Sequence, residues 1–144
     1  MKGIKVFEHQ FVDYIPEELK EGIVYISITY GTVIHLCACG CGNQVVTPLS
    51  PAQWQIIYDG LTISLTPSIG NWDFPCQSHY WLKNGEIVWA DKWSKKDIKA
   101  GRRRDRKLLD VHYEKEESSA VQIGKKNEQS FWKRILQKLK MLFL

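Results

Sequence analysis

Three of the four cysteines fall within five residues, in the run His35-Leu36-Cys37-Ala38-Cys39-Gly40-Cys41-Gly42, and the fourth, Cys76, stands three residues before His79. Thiols at alternate positions cannot bridge one another without severe strain. They suit a metal, because the glycines after Cys39 and Cys41 let the backbone fold tightly and aim several sulfurs at one centre. Four thiolates complete a closed tetrahedral zinc site, so Cys37, Cys39, Cys41 and Cys76 are the expected ligands of a structural Zn2+. Sets in which His79 or His35 replaces one cysteine stay open, since Cys76-x-x-His79 and His35-x-Cys37 also have ligand spacing. An iron–sulfur centre or plain core cysteines are the remaining readings.

At 144 residues the chain has room for one modest core. No apolar run reaches bilayer-spanning length, and the N-terminus lacks the apolar stretch of a signal peptide. A cytoplasmic location is therefore expected, where reduced thiols bind metal rather than form disulfides. The net charge of +4 is unevenly spread: residues 1–100 hold 8 Lys/Arg against 10 Asp/Glu, and residues 101–144 hold 12 against 6. Basic character belongs to the tail, which argues against nucleic acid as partner of the cysteine-bearing body.

Residues 23–29 and 32–37 are β-branched and aromatic runs around a Gly31 turn, and read as a hairpin. Residues 44–47 and 61–66 read as further strands. Residues 79–82 and 86–89 flank Asn84-Gly85, the strongest hairpin signal in the chain. A short helix is expected over 16–20, and Ser50-Pro51 has the cap-then-proline form of a short helix or a turn. Residues 67–75 read as an aromatic-rich loop. The expected fold is mainly β, a small antiparallel domain of about six strands with a structural zinc knuckle, plus a C-terminal amphipathic α-helix. The boundaries are 1–95 for the zinc-stabilised β-domain, 96–129 for a basic and polar flexible linker, and 130–144 for the helix.

On a helical wheel Phe131, Trp132, Ile135, Leu136, Leu139, Leu142 and Phe143 share one arc, with Lys133, Arg134, Lys138 and Lys140 outside it. Such a helix can fold back on its own domain, pair with a second copy, enter a protein partner's groove or lie on an anionic membrane surface.

A closed four-cysteine zinc has no open position with which to activate water. Any catalysis must then come from His79 as base and a serine as nucleophile. Strand alternation sends the adjacent Ser78 and His79 to opposite faces, whereas Ser68 can reach across to His79 from the glycine-flanked loop. Backbone N–H groups near Ile69-Gly70 are candidate oxyanion donors, and Asp73 or Asp59 is a candidate orienting acid. The structural reading stands beside this one: a histidine near a zinc knuckle often bonds a sulfur or a carbonyl, and serines near prolines cap turns.

Taken together, His35-x-Cys37-x-Cys39-Gly40-Cys41-Gly42, Pro67-Ser68-Ile69-Gly70, Pro75-Cys76-x-Ser78-His79-Tyr80-Trp81 and Gly85-x-x-Val88-Trp89 resemble a bacterial family found beside ubiquitination-like operons. Its members are proposed serine proteases that cut a ubiquitin-like modifier from precursors or conjugates. The resemblance covers about residues 20–92 and does not extend to the basic tail. It implies a peptidase using His79 with Ser68 or Ser78, and a ubiquitin-like protein or its conjugates as partner. The competing reading is a non-enzymatic zinc-binding adaptor for a protein, or for nucleic acid through Arg102, Arg103, Arg104 and Arg106.

Overall fold

The computed structural model describes residues 3–142, which form eight strands and one helix. Strands β1 (Glu8–Phe11), β2 (Ile23–Ser27), β3 (Thr32–Leu36) and β4 (Gln44–Pro48) make one four-stranded sheet in that order. Strands β5 (Gln55–Tyr58), β6 (Ile63–Gly70), β7 (His79–Lys83) and β8 (Glu86–Trp89) make a second. All neighbours are antiparallel except β1 and β2, which run parallel.

One apolar core serves both sheets. Val24, Ile26, Val33 and Val45 come from the first and Ile63, Leu65, Ile69, Tyr80 and Leu82 from the second, all buried. Alternation explains the choice: β3 buries Val33 and His35, and β6 buries Ile63, Leu65 and Ile69. The His35 Nε2 lies 2.9 Å from the Tyr80 hydroxyl, giving these two buried polar groups a shared hydrogen bond between the sheets. Burial lowers the His35 pKa to about 4 and raises that of Tyr80.

The Asn84-Gly85 hairpin forms as expected. Both residues have positive φ, 49° and 77°, as the tight turn joining β7 to β8 requires. The β2–β3 hairpin also forms around Gly31. Other expectations are corrected. Residues 16–20 are not helical; five residues without a packed face cannot offset the cost of helix nucleation. Of the two expectations for Ser50-Pro51 the turn is the one that forms, closed by the Gln53 N–H donating to the Ser50 carbonyl at 3.1 Å. The expected loop over 67–75 starts with strand, since β6 runs on to Gly70 opposite His79. β1 and β5 are additional strands.

The segment 96–129, expected as a flexible linker, is helical throughout: α1 runs Lys95–Leu142. Ser94 and Asp97 form a reciprocal N-terminal cap, with the Asp97 N–H donating to Ser94 Oγ at 3.2 Å and the Ser94 N–H to the Asp97 carboxylate at 3.3 Å. The Arg, Lys, Leu, Glu and Ala that follow are strong helix formers, and polarity does not prevent them from propagating a helix once it has started. The chain divides into two compact units, Met1–Asp105 and Arg106–Leu144. In the second, Phe131, Trp132 and Leu136 are exposed, while Phe143 of the expected arc lies outside the described residues. Among the described residues no helix is long and apolar enough to cross a membrane.

Candidate active site and metal centre

The cysteine knuckle joins β3 to β4. Cys37 N–H donates to the Asn43 carbonyl at 2.8 Å, and Gly40 N–H to the Cys37 carbonyl at 3.0 Å, closing a tight loop. Gly40 and Gly42 adopt φ of 80° and 76°, values open to glycine at no steric cost. The loop after β6 is closed in turn by the Asn71 N–H donating to the Ser78 carbonyl at 2.9 Å, with Gln77 at φ 44°. That loop carries Cys76 to the knuckle.

The four sulfurs of Cys37, Cys39, Cys41 and Cys76 lie within 4.8 Å of one another. Individual separations are 3.5 Å for Cys37–Cys39, 4.0 Å for Cys37–Cys76 and 3.8 Å for Cys41–Cys76. Sulfurs about 2.3 Å from a tetrahedral zinc stand about 3.8 Å apart, so this donor set fits such an ion. Burial pushes the Cys37 and Cys39 thiols up. Burial also works upward on Cys41, but hydrogen bonds led by the Asn43 backbone bring it down to about 7. A cation bound at this cluster would favour the thiolate form of its ligands. The histidines weighed as ligands are engaged elsewhere: His35 with Tyr80 and His79 with Ser68.

Ser78 belongs to the surroundings of the cysteines. Its Oγ lies 3.1 Å from the Cys37 sulfur and accepts a hydrogen bond from Asn71 Nδ2 at 2.8 Å. Asn43 Nδ2 approaches the Cys41 sulfur at 3.2 Å. Two side-chain amides thus support the cluster, and neither was singled out from the sequence.

His79 opens β7 directly opposite Gly70 of β6. Tyr80, next along, points into the core with Ile69, so His79 and Gly70 take the opposite face of this sheet. Ser68, two residues before Gly70, shares that face, and His79 Nε2 lies 3.0 Å from Ser68 Oγ. The other ring nitrogen, Nδ1, lies 2.8 Å from the Asp91 backbone carbonyl. A carbonyl can only accept, so Nδ1 carries the proton. In the neutral form of the ring, Nε2 is then the acceptor for the Ser68 hydroxyl.

Neither candidate orienting acid is at the imidazole. The Asp73 carboxylate accepts from Arg102 at 2.7 Å. Asp59 caps the β5–β6 turn, accepting from the Leu61 and Thr62 N–H groups at 2.8 and 2.6 Å, and those bonds hold its carboxyl down at about 2. The group at Nδ1 is a main-chain carbonyl, which no side-chain pattern announces. Ile69 and Gly70, considered as oxyanion donors, are strand residues paired with Tyr80 and His79.

Two indoles flank the imidazole. The Trp72 ring centre stands 4.9 Å and the Trp93 ring centre 5.2 Å from that of His79, and the indoles stack on each other at 5.4 Å. The arrangement is a serine hydroxyl within hydrogen-bond distance of a histidine whose Nδ1–H is fixed by a carbonyl, beside two stacked indoles. It can supply a nucleophile and its base.

Residues 11–90 match the family described as bacterial ubiquitination-like system serine protease. No curated protein and no solved structure matches the chain.

Proposed function

The chain belongs to the family of bacterial ubiquitination-like system serine proteases, and from that premise we propose that it is a peptidase with Ser68 as nucleophile and His79 as general base. The observation that carries this reading is the 3.0 Å contact of Ser68 Oγ with an Nε2 whose tautomer the Asp91 carbonyl fixes. Ser68 gives its proton to His79 Nε2 as its oxygen bonds to the substrate carbonyl carbon. The imidazolium then protonates the leaving amine as the C–N bond breaks. Water, deprotonated by the same nitrogen, releases the acyl group and restores the hydroxyl. The dipole of the Asp91 carbonyl steadies the imidazolium in each half of the cycle.

The substrate we assign is the C-terminal tail of a ubiquitin-like protein, in a precursor or in an isopeptide conjugate. The four cysteines hold a structural zinc. Such a site is closed, so the ion fixes the fold of the knuckle and of the loop leading into His79, and takes no part in the bond cleavage. Thiolates kept for a metal require a reducing compartment, and we place the chain in the cytosol.

A fluorophosphonate serine probe on the zinc-loaded protein, with peptide mapping, tests the assignment. The expected result is label on Ser68, lost in His79→Ala with zinc content unchanged. Label on Ser78, or loss of zinc in His79→Ala, overturns it.

A further inference from the structure

Trp93 follows Asp91 by two residues, beyond the stretch that matches the family. Its indole is seated by a glycine: a Cβ on Gly101, in the second turn of α1, would stand 2.7 Å from Trp93 Cζ3. Glycine is the costliest residue after proline in a helix interior, so its presence here answers to the ring packed against it. Trp72 is seated in the same way. A Cβ on Gly70 would come within 2.5 Å of the Trp72 indole. One glycine on β6 and one on α1 thus each receive an indole, and the two indoles face His79. Arg102, next to Gly101, reaches Asp73, next to Trp72, at 2.7 Å.

A histidine held by one neutral hydrogen bond at Nδ1 lacks the electrostatic hold that a carboxylate partner gives, and its ring can swing about the Cβ–Cγ bond. Packing must then supply the restraint. We propose that Trp93, lodged in the Gly101 notch, is a positioning residue: with Trp72 it fixes the His79 ring in the orientation that aims Nε2 at Ser68, so that the working site extends through the first turns of α1. This rests on the assignment of Ser68 and His79 made above.

Two measurements on the full zinc-loaded chain test it. The first is the rate of fluorophosphonate labelling at Ser68. Trp93→Ala slows it about 10- to 100-fold, the cost of misplacing a catalytic group by roughly 1 Å. Trp93→Phe restores it to within about threefold, because a ring still fills the notch. Gly101→Ala, which touches neither Ser68 nor His79, slows labelling in the same direction. Adding Gly101→Ala to Trp93→Ala slows it no further, since the ring it would displace is gone. The second measurement is the downfield proton resonance of His79 Nδ1–H. It is sharp in the wild type and Trp93→Phe, and broadened or lost in Trp93→Ala and Gly101→Ala.

Zinc content and melting temperature identify any variant that fails to fold. If Trp93→Ala does not fold, the Gly101→Ala and Trp93→Phe pair carries the test alone. Wild-type labelling rate and an intact resonance in the folded variants overturn the proposal, as do independent, multiplying effects of the two substitutions. A wild type that takes no label at Ser68 overturns the peptidase reading instead, and the resonance still decides whether Trp93 holds the ring.

Discussion

Ser78 and His79 are neighbours in the chain yet turn to different partners, Ser78 Oγ to the Cys37 sulfur at 3.1 Å and His79 Nε2 to Ser68 Oγ at 3.0 Å. The start of β7 therefore joins the cysteine cluster to the Ser68–His79 pair through a single peptide bond. Between the Cys37 contact and the Ser68 contact the main chain holds only the Ser78–His79 link. An ion held by the four cysteines, with no open coordination position, would bear on the Ser68–His79 geometry by this route.

The division of labour between the serines separates on substitution. Ser68→Ala abolishes probe labelling and peptide cleavage, a loss on the order of 10³-fold or more, with zinc content and melting temperature unchanged. Ser78→Ala leaves Ser68 labelling within a few fold but removes a polar neighbour of Cys37. Zinc affinity then falls about 10- to 100-fold, read by competition with a chromophoric chelator. The reverse pattern makes Ser78 the nucleophile.

A carbonyl orienter predicts that no single carboxylate is indispensable. Asp73→Asn and Asp59→Asn each leave the rate of Ser68 labelling within about threefold of wild type. Asp73 meets Arg102 in an exposed pair, and such pairs contribute little. A loss of about 100-fold or more in either variant places a carboxylate behind His79 after all.

Spacing alone foretold the sulfur cluster and the Asn84-Gly85 hairpin, because both depend on local chemistry: thiols two residues apart, and a turn with two positive φ angles. Strand alternation, itself a local rule, parts Ser78 from His79, but the loop expected over 67–75 hides the place of Ser68 on β6, which the pairing of β6 with β7 decides. What could not be read depends on main chain or on distant packing. The Asp91 carbonyl carries no residue-specific signal. Trp93 and Gly101 are eight residues apart with nothing in their spacing to join them. β1 is a short, polar strand that exists through its parallel pairing with β2, and β5 through its register against β6. The polarity of the 96–129 segment suggests a linker, whereas its helix propensity and the Ser94–Asp97 cap decide its structure.

Metal removal should act on the fold before it acts on the chemistry. Stripping the ion with a strong chelator at pH 7 lowers the melting temperature and slows Ser68 labelling in parallel, and Zn2+ restores both. Cys39→Ser gives the same paired loss at a lower chelator concentration. Labelling that stops while the melting curve stays in place indicates an ion acting directly on the serine or its base.

Acid should destabilise the fold through His35 as well as through the thiolates. Burial of His35 between the sheets lowers its pKa to about 4, against an ordinary value of 6.5. The depressed group stabilises the folded state fully above pH 6.5, and that contribution is lost as pH falls from 6.5 through 4. The full shift is worth roughly 3 kcal/mol. His35→Gln offers the Tyr80 hydroxyl a polar partner and does not titrate. Denaturant unfolding of both forms between pH 7 and 4 then gives the expected outcome: the wild type loses stability more steeply than the variant, by up to about one proton per chain. Equal slopes in the two forms mean that thiolate protonation alone drives the acid loss, and that His35 is not neutral and buried in the folded protein.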